Sequence, residues 1–132
     1  RVLMYCLDTN IIIAIFRGDK DLLKKLDSVE PEKIHLTVIT LCELFKGAYK
    51  SRQKERDLML VEKFTANYKI LGLSVAGCDI FGRDFVELRR SGRLTSDFDL
   101  LISSIAKEND LILVTRNKKD FENIPYLQIE EW

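Results

Sequence analysis

Val2-Leu3-Met4-Tyr5-Cys6-Leu7-Asp8 decides how the rest of the chain reads: six consecutive apolar residues end abruptly on a carboxylate. A strand that alternated apolar with polar residues would have one wet face, whereas an unbroken apolar run predicts a strand covered on both faces, as in a parallel sheet. Parallel sheets carry their chemistry just beyond the carboxyl ends of their strands, and Asp8 stands at that point.

Outward from Asp8-Thr9 the pattern is helical through Phe16, Gly18 breaks it, and Asp19 or Lys20 opens a second short helix with Leu22, Leu23 and Leu26 as its apolar side. Pro31 marks a loop and Ile34-His35-Leu36-Thr37 reads as a short strand. Leu41, Leu44, Phe45 and Ala48 then recur at i, i+3, i+4 and i+7, the stripe of an amphipathic helix. A further helix is predicted from about Lys54 to Tyr68, and a short strand at Ile70-Leu71-Gly72-Leu73. Ser74 caps the next helix, which runs towards Arg90 and ends at Gly92. Thr95 or Ser96 caps another, entered through Asp97 and Asp99 and buried along Leu100, Leu101, Ile102, Ile105 and Ala106. Leu111-Ile112-Leu113-Val114-Thr115 is a second fully apolar strand, followed at once by Arg116-Asn117-Lys118-Lys119-Asp120-Phe121. Strands alternating with helices predict an α/β fold with a parallel central sheet and helices on both faces. A length of 132 residues sets one domain, 1–132, as the expectation.

Twenty-one basic and twenty-one acidic residues cancel, which excludes a bulk polyanion binder and directs attention to local patches. No stretch approaches the ~20 apolar residues of a membrane span, and the opening run lacks the layout of a secretory signal. A soluble, cytoplasmic protein with no membrane partner is expected, and nothing in the reading depends on the chain opening at Arg1. Cys6, Cys42 and Cys78 form no close pair, so they are expected to be reduced and mostly in the core. Their even spacing is not a repeat, since the residues that follow each share no pattern.

The acids carry the chemistry. Glu43 lies off the apolar stripe of its helix, on the face shared by Thr40 and Gly47. With Asp8, Asp97 or Asp99, and Asp120 it makes a set of carboxylates that several elements bring to one edge of the sheet. Acids without histidine or cysteine suit Mg²⁺ or Mn²⁺ better than zinc, and such ions support phosphodiester hydrolysis by activating water and stabilising charge at phosphorus. Each acid also has an ordinary alternative. Asp8 could cap the helix that it opens, Glu43 could pair with Lys46, Asp97 and Asp99 could complement a helix dipole, and Asp120 could pair with Lys118 or Lys119.

Thr9, Asn10, Thr40, Thr115 and Asn117 either fix the carboxylates and their waters or serve as caps and turns. Lys46, Lys50, Arg52, Lys54 and Arg56, with Arg116, Lys118 and Lys119, could neutralise the phosphates of RNA or form solvated faces. Arg83, Arg89, Arg90 and Arg93 are further candidates. His35 is read as structural, and Tyr5 and Trp132 as packing residues.

LeuAspThrAsn after the first strand, ThrLeuCysGluLeuPheLysGly on an early helix, AspLeuLeuIleSerSerIleAla on a late one, and ValThrArgAsnLysLysAspPhe before TyrLeuGlnIleGluGluTrp together resemble a PIN-domain protein, closest to the VapC-type toxin ribonucleases. The resemblance spans essentially the whole chain, with four motifs in order. It implies that Asp8, Glu43, Asp99 and Asp120 bind the metal and that Thr9, Thr40, Thr115 and Asn117 support the site. It also implies Mg²⁺- or Mn²⁺-dependent endonucleolytic cleavage of RNA by metal-activated water, a homodimer, and neutralisation by a cognate antitoxin. Asp97, two residues before Asp99, and Ser103-Ser104, where small alanines are common, depart from the pattern.

Other classes fit less well. A haloacid-dehalogenase-like phosphatase needs a second aspartate where Asn10 stands, and a phosphate-cradling fold needs a glycine-rich turn that Asp8-Thr9-Asn10 lacks. The alternative that stays open is a non-catalytic PIN-like scaffold that binds RNA or a protein partner.

Overall fold

The computed structural model describes residues 2–132, so Arg1 lies outside the described residues. Five parallel strands stand in the order β3-β2-β1-β4-β5: β1 Tyr5–Leu7, β2 Ile34–Thr37, β3 Lys69–Leu71, β4 Ile112–Val114 and β5 Ile129–Glu130. Between β1 and β2 run α1 (Thr9–Phe16) and α2 (Lys20–Asp27), and between β2 and β3 run α3 (Val38–Lys50) and α4 (Lys54–Thr65). α5 (Val75–Arg90) and α6 (Asp97–Glu108) lead to β4, and α7 (Lys118–Phe121) to β5. The chain first builds the sheet in one direction from β1, then returns past it to add β4 and β5 on the other side. Crossovers of one hand made in opposite directions place their helices on opposite faces, and this is what the core shows.

Successive residues of the two central strands divide between the faces, as the pleat requires. Leu7 and Val114 join Ile34 and Leu36 against Ile11, Ile12, Leu22, Leu26, Leu44 and Val61 of α1 to α4. Cys6 and Leu113 meet Leu88, Leu100, Ile102, Ala106 and Phe121 of α5 to α7. Each of these strand side chains is fully buried, which stabilises the fold by about 1.5–3 kcal/mol for a large aliphatic.

The opening run is shorter as a strand than its sequence implies. Val2, Leu3 and Met4 are exposed, because the paired register to Ile34 and Ile112 begins at Tyr5, with the Met4 carbonyl accepting from the Ile112 amide as the last tie to β4. The strand after α4 is also displaced: it spans Lys69–Leu71, and α4 ends at Thr65. α7 and β5, four and two residues long, are elements that the sequence pattern does not reveal. Cys6 is buried, but Cys42 and Cys78 lie on the outer sides of α3 and α5 and are exposed, contrary to the expectation of core positions. Tyr5 and Trp132 do pack, edge to face at 5.4 Å. No helix among the described residues is long and apolar enough to cross a membrane.

Candidate active site

The direction of winding reverses between β1 and β4, and the carboxyl ends of strands at such a reversal are where parallel α/β sheets bind their ligands. Asp8 follows β1 and Thr115 follows β4, and the two residues bind each other. The Asp8 amide donates to the Val114 carbonyl at 2.9 Å, and the Thr115 hydroxyl donates to Asp8 Oδ2 at 2.9 Å. Thr115 Oγ1 itself accepts from the Asn117 amide at 2.9 Å, so the hydroxyl proton is directed at the carboxylate. Asp8 stands at the N-cap of α1, yet its side chain makes no capping hydrogen bond. The capping alternative therefore does not account for it.

Glu43 lies on α3, which starts directly from β2 with Thr37 as its cap. Its Oε1 accepts from Thr9 Oγ1 at 2.6 Å, and Thr9 Oγ1 lies 3.0 Å from Thr40 Oγ1. A hydroxyl has one proton, and Thr9 gives its proton to Glu43, so Thr40 donates to Thr9. Two helices are thus tied by the chain Thr40 to Thr9 to Glu43. Lys46 is not the partner of Glu43: its ammonium lies 5.9 Å above the ring of Phe98.

Ser96 caps α6 by accepting from the Asp99 amide, which places Asp99, half-buried, in the first turn beside exposed Asp97. Asp120, exposed on α7, is not ion-paired to Lys118 or Lys119 among the described residues.

The four acids influence one another. Asp8, only 2% exposed, has its pKa pushed up to about 6, first by burial and then by the charges of Asp99 and Glu43, against the lowering effect of Thr115. Asp99 is also raised, by burial and by Asp120 and Glu43. The structure thus brings Asp8, Glu43, Asp99 and Asp120 into one electrostatic neighbourhood. Among the described residues, no three histidine, cysteine or acidic groups are placed closely enough to hold one ion as they stand.

The other sequence candidates divide. Thr9, Thr40 and Thr115 are buried against the acids, and Asn117 contributes through its backbone amide. Asn10 instead is exposed, in a cleft with Arg17, Asp19, Arg116 and Asn117 that includes none of the four acids. Arg116 is occupied, donating to Asp19 at 2.6 Å and to the Trp132 carbonyl at 3.1 Å. Lys46 and Lys50 are exposed on the Glu43 helix, Arg52 follows it, and Lys118 is exposed on α7.

Two features escape the sequence reading. One is Phe98, whose only signal is an apolar residue between two acids in a helix's first turn. The other is a cleft of about 320 Å³ walled by Ile13, Phe16, Leu44, Leu60 and Val61, with Arg17, Glu43, Arg56 and Asp57 as its charged lining. It depends on how α1, α3 and α4 assemble, which no local motif encodes.

Known proteins resemble this chain in sequence and fold. The PIN domain family model matches residues 5–126. The tRNA(fMet)-specific endonuclease VapC of Shigella flexneri is 33% identical over 131 residues, which cover 99% of each chain. Ribonuclease VapC2 of Haemophilus influenzae is 33% identical over 132 residues with the same coverage. The crystal structure of DNA-bound VapBC from Salmonella typhimurium superposes with a TM-score of 0.93, at 31% identity and 99% coverage of each chain. The chain belongs to the PIN-domain family and, within it, to the VapC group.

Proposed function

We propose that the chain is a metal-dependent endoribonuclease and the toxin of a VapBC-type pair, its 132 residues acting as one nuclease domain in the cytoplasm. The observation that carries this reading is Asp8, a buried carboxyl at the sheet's reversal point whose ionisation is opposed by Asp99 and Glu43. A cation bound beside it would reverse that opposition. The Shigella flexneri relative is named for cleaving a tRNA and the Haemophilus influenzae one as a ribonuclease, which supports RNA as the substrate.

Asp8, Glu43, Asp99 and Asp120 are the residues that would hold Mg²⁺ or Mn²⁺, with Asp97 on the same turn able to assist. Their donor set is all oxygen, which suits a hard ion, and Glu43, Asp99 and Asp120 sit at half-buried or open positions from which they can converge. When bound, such an ion lowers the pKa of a water and neutralises charge gathering on the phosphate. The protein's own part is positioning. Thr115, oriented by the Asn117 amide, fixes one oxygen of Asp8, and the Thr40-Thr9 relay fixes one oxygen of Glu43. Above pH about 6 Asp8 is ionised and ready for a cation. Lys46 and Lys50, on the helix that carries Glu43, with Arg52 and Lys118, supply charge for the phosphates. Arg116 ties the Trp132 carbonyl to α2's cap and, exposed with guanidinium donors to spare, supplies a further phosphate contact.

The partner is a protein. The apolar cleft between α1, α3 and α4 includes Glu43 in its lining, beside Arg17 and the Arg56–Asp57 ion pair, which suits an amphipathic antitoxin segment that would cover the acids. The Salmonella typhimurium neighbour is a VapBC complex, which supports such a partner. A homodimer completes the reading, and its measurement is the mass in sedimentation.

The test is cleavage of a mixed pool of structured and single-stranded RNAs by pure protein with Mg²⁺ or Mn²⁺, beside EDTA and Asp8→Asn controls. Cutting that is lost in both controls is the expected result. No cutting, together with no response to Mn²⁺, would leave the non-catalytic scaffold.

A further inference from the structure

Phe98 is 42% exposed although it stands in the first turn of α6 between Asp97 and Asp99. The ring is therefore open to solvent within the turn that carries Asp99. Lys46 comes from α3, the helix that carries Glu43, and places its ammonium 5.9 Å above the same ring. One turn of helix separates Glu43 from Lys46, so the acid and the cation share a face. Phe98 and Asp99 on α6 and Lys46 and Glu43 on α3 therefore lie on two helices that pack together, with Glu43 close enough to raise the pKa of Asp99.

We infer that Phe98 is a stacking platform for a base of single-stranded RNA next to the scissile phosphate, with Lys46 turning from the ring to a backbone phosphate as the strand arrives. The inference rests on the endoribonuclease reading and adds substrate selection to it. Every base has a π-face, so an aromatic platform binds unpaired nucleotides with little regard to sequence. Bases in a duplex are already stacked on one another and cannot use it. The acids cannot bind bare RNA themselves, since they repel phosphates. A ring beside them holds the strand without adding charge, and the lysine supplies the charge at one point. The combination predicts preference for loops and single strands over continuous helix.

The experiment measures kcat and KM with Mn²⁺ on a single-stranded oligoribonucleotide and on the same sequence in a duplex, for wild type, Phe98→Leu and Phe98→Trp. Phe98→Leu is expected to raise KM about tenfold on the single strand with kcat changed about twofold or less, and Phe98→Trp to restore KM. The ratio of single-strand to duplex cleavage should fall in Phe98→Leu. A second readout does not need cleavage. In an Asp8→Asn background, a 2-aminopurine base beside the scissile position should be quenched on binding, and adding Phe98→Leu should remove the quench. An unchanged KM in Phe98→Leu, or quenching that survives it, would overturn the platform while leaving the nuclease intact. So would loss of an oligomer in sedimentation of Phe98→Leu, which would assign the ring to a protein interface. A wild type that cuts no RNA would instead remove the reading on which the platform rests.

Discussion

Two aspartates are buried among the described residues, and the fold treats them in opposite ways. Asp84 on α5 is 6% exposed and meets Lys107 of α6 at 2.7 Å, so its charge is matched where the two helices pack. Asp8 is 2% exposed, and among the described residues no ion pair reaches it. Its neighbours are a threonine hydroxyl and other acids. Asp84 shows that this chain can supply a lysine where a buried acid serves structure. At Asp8 it supplies repulsion, which lowers stability at neutral pH and makes sense if a cation completes the site.

The sharpest way to break the comparison is to neutralise both acids. Asp8→Asn should reduce metal-dependent cleavage at least about a hundredfold while making the free protein more stable. The sign follows from linkage. Asp8 has a folded pKa raised from 3.8 to about 6, so its ionisation disfavours folding. That penalty is absent below the unfolded value, grows between about pH 4 and 6, and is fully present above 6. Two units correspond to about 2–3 kcal/mol, so Asp8→Asn should gain about that much in urea unfolding at pH 7.5 and little at pH 4. The Asn carbonyl can still accept from Thr115, which keeps the geometry.

Asp84→Ala should behave the other way, losing about 2–4 kcal/mol because Lys107 is left half-sequestered without a partner, with cleavage per folded molecule unchanged. If Asp84→Ala proved as benign as Asp8→Asn, the contrast would fail. Thr115→Val is a subtler probe. It removes the one side-chain donor that lowers the Asp8 pKa, so the acid limb of the pH–rate profile should move to higher pH. An unmoved limb would mean that Asp8 does not set it. Asp97→Asn should have the smallest effect, at most about 1 kcal/mol from the helix dipole and little change in rate, because Asp97 is exposed. Asp99→Asn, made beside it, should lose activity as Asp8→Asn does.

What could be read in advance follows the same division. Asp8 was legible because a buried strand announces itself by an unbroken apolar run, and a charge that ends such a run is conspicuous. Ser96 and the acids behind it were legible because capping chemistry is local. The full extent of β1 was not, because Val2, Leu3 and Met4 are as apolar as their successors, and only the registers of β2 and β4 decide where pairing begins. α7 and β5 are too short for any periodicity to register. Nor could the sequence separate Asn10 from Asn117, since Asn117 acts through an amide that every residue but proline possesses. The bond of Arg116 to Asp19, far away along the chain, is equally invisible to a local motif. Pairings across the fold, like that of Asp84 with Lys107, carry no sequence signal at all.

The central claim is that the charge left unmatched at Asp8 awaits a cation, and thermal unfolding in a titration of Mn²⁺ at pH 7.5 tests it most directly. Wild type should gain stability with Mn²⁺, by about 2.7 kcal/mol once the ion reaches a hundred times its dissociation constant, and Asp8→Asn should start more stable and gain almost nothing. Equal gains in the two proteins, or none in wild type, would contradict the account.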